Sequence, residues 1–143
     1  MIVLDANILL YAYDSGALLH TKARSWMEDV MSGGTPVGLP WQTIGAFLRV
    51  VTNPRIPGDR FTIEEATQLV DRWLEQPNVL LLWPGDTHWP LVRQTMVESQ
   101  SRGPLVTDAQ LAALTIEYGG ILHTTDRGFA RFPALRWINP LSA

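Results

Sequence analysis

Three aspartates are placed where an α/β chain can use them. Asp5 directly follows the apolar run Ile2 to Leu4, Asp126 follows a second run ending at Thr124-Thr125, and Asp108 opens a helical segment. In an open α/β sheet, the loops at the carboxyl ends of the strands converge on a crevice where sites are built. The helix beginning at Asp108 leads straight into the strand before Asp126, so its amino end can return to the same edge. Three unpaired acids gathered there would repel and raise one another's pKa. A hard divalent cation relieves that repulsion, because Mg2+ or Mn2+ prefers carboxylate oxygen and keeps several waters. Such an ion lowers the pKa of a bound water and neutralises phosphate charge, which is the equipment for phosphodiester hydrolysis. The plain alternative for each acid is a helix cap or a charge facing a helix dipole. For Asp108 that alternative is weaker, because Thr107 and Gln110 read as a capping box that already supplies the oxygen.

The elements that must position these acids alternate between strand-length apolar runs and segments of helical period, the pattern of an α/β domain with a parallel sheet. Strands are expected at Ile2 to Leu4, Val37 to Leu39, Val79 to Trp83 and Ile121 to Thr124, with a short edge strand at Leu135 to Ile138. Helices are expected around Ile8 to Ala12, Ala17 to Met31, Pro40 to Thr52, Thr62 to Gln76, Trp89 to Gln100 and Asp108 to Tyr118. The second of these places Leu18, Ala23, Trp26, Met27 and Val30 on or near one face. Thr62 with Glu65 forms a capping box, and Asn53 to Asp59 is a loop by its turn chemistry.

A chain of 143 residues with this make-up is expected to form a single domain, residues 1–143. It contains 0 Cys, which excludes disulfides, thiolate zinc sites and cysteine nucleophiles and leaves oxygen ligands for any metal. Its 11 Lys+Arg against 14 Asp+Glu give a net charge of -3, which argues against a broad basic nucleic-acid-binding face. The amino terminus lacks the charge pattern of a secretory signal, and no apolar run approaches the roughly 18 residues of a membrane span. A soluble, cytoplasmic protein is the expectation.

The segments "IVLDANILLYA", "LPWQTIGAFLRVVTNPR", "TDAQLAALTIEYGG" and "HTTDRGFARFPALRWINPL" together resemble the PIN-domain proteins of the VapC toxin group, over nearly the whole chain and in the right order. The resemblance implies a three-layer α/β/α sandwich with a central parallel sheet. It also implies a Mg2+- or Mn2+-dependent ribonuclease acting on RNA such as tRNA, paired with a VapB-type antitoxin and forming a homodimer, with no membrane involvement. It places the family's aspartates on Asp5, Asp108 and Asp126, as metal ligands and catalytic groups. Two departures stand out. The family's helix glutamate before the Leu-Arg pair is absent from Ile44-Gly45-Ala46-Phe47, and Gly128 stands where many members carry an acid or Asn. A catalytically silent PIN scaffold that binds RNA or protein is therefore the alternative.

Asn7 and Thr125 flank the acids and are candidates to orient carboxylates or a metal water, with capping as their plain alternative. Thr43 or Gln42 could lend an oxygen. Arg49, Arg55, Arg60, Arg127 and Arg131 are candidates for an RNA track, since guanidinium forks suit phosphate. Core packing is the default for the 6 Trp, with Trp26, Leu18 and Leu19 as a possible partner groove. His20, His88 and His123 share no ligand spacing, and His123 is expected to be a packed or hydrogen-bonded strand histidine. Lys22 is the only lysine, which argues against phosphatase, receiver and P-loop chemistry.

Overall fold

The computed structural model describes residues 1–142. Five parallel strands, β1 (Ile2–Leu4), β2 (Val37–Pro40), β3 (Val79–Leu82), β4 (Ile121–His123) and β5 (Trp137–Ile138), form one sheet in the order β3-β2-β1-β4-β5. Because all run the same way, every carboxyl end lies on one edge.

Helices α1 (Ala6–Ala12), α2 (His20–Met31), α3 (Trp41–Val51) and α4 (Ile63–Glu75) cover one face, and α5 (His88–Ser99) and α6 (Leu105–Glu117) the other. Strand alternation divides the core between them. Leu4, Val37, Leu39 and Val79 pack with Phe47 and Trp73, whereas Val3, Leu82 and Leu122 pack with Ala109, Leu111 and Phe129. This is the expected three-layer α/β/α sandwich. No helix among the described residues is long and apolar enough to cross a membrane.

The Thr62–Glu65 capping box forms as expected, with both reciprocal hydrogen bonds in place. Two helix starts differ from the sequence expectation. The second helix begins at His20 rather than Ala17, because Asp14 accepts the Gly16 N–H and turns the chain first. Leu18 is consequently in a turn and fully exposed, not on a packed face. The sixth helix begins at Leu105, ahead of Asp108, and no side chain caps it. Gly103, at φ +58°, turns the chain into Pro104, whose fixed φ suits a helix start. The Thr107–Gln110 capping box does not form, and Asp108 lies inside the first turn.

Candidate active site

Helix α1 starts where β1 stops, so Asp5 serves as both strand end and helix cap: its Oδ1 accepts from the Ala6 N–H at 2.7 Å. Strands β1 and β4 pair with Leu4 opposite His123, which puts Asp5 opposite Thr124. The Thr124 hydroxyl, fully buried, donates to Asp5 Oδ2 at 2.7 Å. The Thr124 Oγ1 in turn accepts from Asn7 Nδ2 at 3.1 Å and from the Asp126 N–H at 3.0 Å. One hydroxyl thus joins the carboxyl ends of β1 and β4 and orients two acids.

Asp108 reaches this edge from the first turn of α6, where its Oδ2 accepts from Arg131 Nη1 at 3.3 Å. Asp126 caps the following 3-10 turn, Arg127–Arg131, by accepting from the Gly128 N–H at 2.7 Å. Two of the acids respond to their neighbours. Burial pushes the Asp5 carboxyl up, opposed by the Thr124 and Ala6 hydrogen bonds and reinforced by the charges of Asp108 and Asp126. Asp108 is also pushed up, by burial first and by Asp126, against the pull of Arg131. These shifts mark a carboxylate cluster short of positive charge.

The donor set is chemically suited to a hard cation: aspartate oxygens, no sulfur, and mutual repulsion that a cation relieves. As the side chains stand, no three His, Cys, Asp or Glu among the described residues are spaced to enclose an ion. The reason is visible in two contacts, Asp108 with Arg131 and Asp126 with its own Gly128 N–H. A Cβ at Gly128 would stand 2.6 Å from Arg131 Nη2 and 2.9 Å from Asp126 Oδ1. The arginine therefore fills the space that a side chain at position 128 would need.

Other sequence candidates land variously. Asn7 joins the cluster through Thr124, whereas Thr125 contributes its backbone N–H, 3.5 Å from Asn7 Oδ1. Thr43 donates its hydroxyl to the Leu4 carbonyl and Gln42 donates its amide to the Thr107 carbonyl. Each bond fixes the backbone one residue before an acid. Arg60 closes its own loop on the Ile56 carbonyl, and Arg49, Arg55 and Arg127 are exposed. His123 is buried, bonded to the Ile121 carbonyl, and stacked on Trp26 at 5.4 Å. Burial lowers its pKa. The default of core packing fails for Trp41, Trp83 and Trp89, which are exposed, and holds for Trp73.

Thr124 was not among the sequence candidates. The signal lay in the paired strands: aligning the ends of Ile2–Leu4 and Ile121–His123 sets this hydroxyl beside Asp5.

A five-stranded parallel sheet with aspartates gathered at the carboxyl edge of its central strands defines the class, and the comparisons agree. Residues 2–135 match the family model of the PIN domain. Ribonuclease VapC33 of Mycobacterium tuberculosis is 38% identical over 141 residues, covering 99% of each chain. The VapC ribonuclease Mb2897 of Mycobacterium bovis is 37% identical, covering 99% of this chain and 96% of its own. The crystal structure of VapBC2 from Rickettsia felis bound to a promoter DNA fragment superposes with a TM-score of 0.71 at 16% identity, over 97% of this chain and 98% of that one. The chain belongs to the PIN-domain family, in its VapC branch.

Proposed function

We propose that this chain is a VapC-type toxin: a Mg2+- or Mn2+-dependent endoribonuclease that hydrolyses RNA phosphodiesters, with tRNA as a candidate substrate, and is held in check by a VapB-type antitoxin. The observation that carries this reading is the meeting of Asp5, Asp108 and Asp126 at one sheet edge, with the carboxyls of Asp5 and Asp108 both pushed up. The ribonuclease names of the relatives and the paired assembly named in VapBC2 support the same assignment. Residues 1–143 act as one domain in this proposal, and two copies form the toxin dimer.

Bound among these acids, a divalent ion would supply positive charge for the phosphate and lower the pKa of a water. Asp5, fixed by Thr124 and by the Ala6 N–H, is the ligand whose orientation is already set. Asp108 and Asp126 would hold the ion directly or through water, in place of their present contacts with Arg131 and the Gly128 N–H. One of the three would orient the attacking water toward phosphorus, and Arg131, now paired with Asp108, would be available to meet a phosphate oxygen. The P–O bond opposite the incoming water breaks, leaving a phosphate end and a hydroxyl end on the RNA.

The Arg131–Asp108 contact, together with the missing acids at Gly45-Ala46 and Gly128, favours one second reading, a silent scaffold whose arginine substitutes for the ion. Incubating the purified chain with RNA in Mg2+ or Mn2+ decides between them. The nuclease reading expects cleavage that EDTA abolishes and Asp5→Asn loses with its fold intact. Absence of cleavage by the wild-type chain, or equal cleavage by Asp5→Asn, rejects it.

A further inference from the structure

The same sheet edge carries a second constellation, at the ends of the two strands beside the acids. Trp41 follows β2 and Trp83 follows β3. They meet edge to face with ring centroids 5.3 Å apart, yet they remain 47% and 58% exposed. Leaving large apolar rings in water forgoes burial energy, and exposed apolar patches on a soluble domain mark interaction sites.

The backbone that presents Trp83 is also tied down, which a chance exposure does not require. The Tyr118 hydroxyl accepts from the Trp83 N–H at 3.1 Å and donates to the Trp83 carbonyl at 2.8 Å. Glu117 accepts the Gly85 N–H at 2.7 Å and pairs with His88 Nδ1 at 2.9 Å. Two adjacent residues at the end of α6 therefore immobilise the loop that presents Trp83. Between Trp41 and α6 lies a cavity of about 210 Å³, with Leu82, Pro84 and Leu114 as apolar walls and Gln42, His88 and Gln110 as polar groups; Trp83 packs on Trp41 beside it rather than lining it. Gln110 is two residues past Asp108, and Gln42 bonds the carbonyl just before it.

From this geometry we infer that the exposed Trp41–Trp83 pair, with the cavity beside Trp41, is a nucleobase subsite, taking an unstacked base of single-stranded RNA next to the cleaved phosphodiester. The inference rests on the ribonuclease reading and assigns part of its substrate contact. Rigid, exposed rings are the means by which proteins hold unpaired bases, and amide and imidazole groups read base edges. The location suits this occupant over a protein. The subsite opens on the same sheet edge as the acids, with β3 two strands from β1, or about 10 Å at the usual strand spacing. A nucleotide neighbouring the reacting phosphate can span that interval.

The test uses the full chain carrying Asp5→Asn, which is expected to cleave too slowly to consume the probe, and a short fluorescent single-stranded RNA in Mg2+. A parallel series carries one abasic riboside at successive positions. Trp83→Ala is expected to weaken binding about tenfold, and Trp83→Phe to stay within about threefold of the parent, as loss and retention of one base–aromatic stack predict. One abasic position should cost the parent about the same tenfold and cost Trp83→Ala nothing more. With Asp5 restored, Trp83→Ala should raise KM and leave kcat unchanged. Unaltered thermal unfolding of the exposed-site variants excludes a folding effect. RNA affinity equal to the parent in both Trp83→Ala and Trp41→Ala overturns the subsite, as does an abasic penalty that persists undiminished in Trp83→Ala. Either result alongside wild-type RNA cleavage spares the nuclease reading; a wild-type chain that neither binds nor cleaves RNA defeats both.

Discussion

Asp5 and Asp59 accept nearly the same hydrogen bonds and respond in opposite directions. Asp59 receives the Ser15 N–H and the Ser15 hydroxyl, each at 3.0 Å, and its carboxyl is held below the ordinary range. Asp5 receives the Ala6 N–H and the Thr124 hydroxyl, each at 2.7 Å, and its carboxyl is nevertheless raised. The difference lies outside the hydrogen bonds. Asp59 is exposed and faces the Asp14–Ser15 turn, where it braces a loop. Asp5 is shielded from water and shares its edge with Asp108 and Asp126. Two good donors therefore stabilise an exposed acid but do not offset burial beside like charges. The first arrangement supports the fold, and the second stores an electrostatic imbalance that a cation can relieve.

The largest separation between the two acids should appear in RNA cleavage. Asp5→Asn is expected to lower kcat/KM by on the order of a hundredfold or more, while Asp59→Asn leaves it unchanged; a cleavage assay on both variants checks the pair. Next come the hydroxyl partners. Thr124→Ala should reduce cleavage by about 10- to 100-fold through loss of carboxylate orientation, with Thr124→Ser retaining most activity. Ser15→Ala should have no effect on the reaction.

Stability should separate the acids by sign. A raised acid makes the metal-free folded state bind a proton more tightly than the unfolded chain, so its cost appears as pH rises through and above the ordinary carboxylate range. Removing that charge with Asp5→Asn, which keeps a capping oxygen, should raise the metal-free Tm by about 2 to 4 °C at pH 7. The gain should fade toward about pH 4. The lowered Asp59 stabilises above the ordinary range and loses its contribution as pH falls, so Asp59→Asn should lower Tm at pH 7 and matter less in acid. Thermal scans across pH read both. Away from both acids, loss of the α4 cap in Thr62→Ala should lower Tm by about 2 to 4 °C at every pH and leave cleavage untouched.

Much of the acid edge was legible in the chain itself. Asp5 and Asp126 each follow an apolar run, and a parallel sheet brings such ends together. The Thr62–Glu65 box was equally readable, because its reciprocal bonds are local. Thr107–Gln110 has the same spelling and does not cap, since Gly103-Pro104 starts the helix earlier and places Thr107 inside it. Spelling alone does not reveal which of two competing helix starts prevails. The Arg131–Asp108 pair, the Thr124 junction and the Trp41–Trp83 pair join residues 23, 119 and 42 positions apart in sequence. Such meetings depend on strand order and loop course. The exposure of Trp41 and Trp83 was hidden for the same reason, since a tryptophan beside a strand reads as core until its neighbours are known.

Calorimetric titration of the metal-free chain with Mn2+ addresses the acid cluster without involving RNA or an antitoxin. Wild type is expected to bind Mn2+ saturably at millimolar concentration or below, at least about tenfold more tightly than Asp5→Asn and as tightly as Asp59→Asn. No uptake by wild type, or equal uptake by Asp5→Asn, would contradict metal binding by the acid cluster.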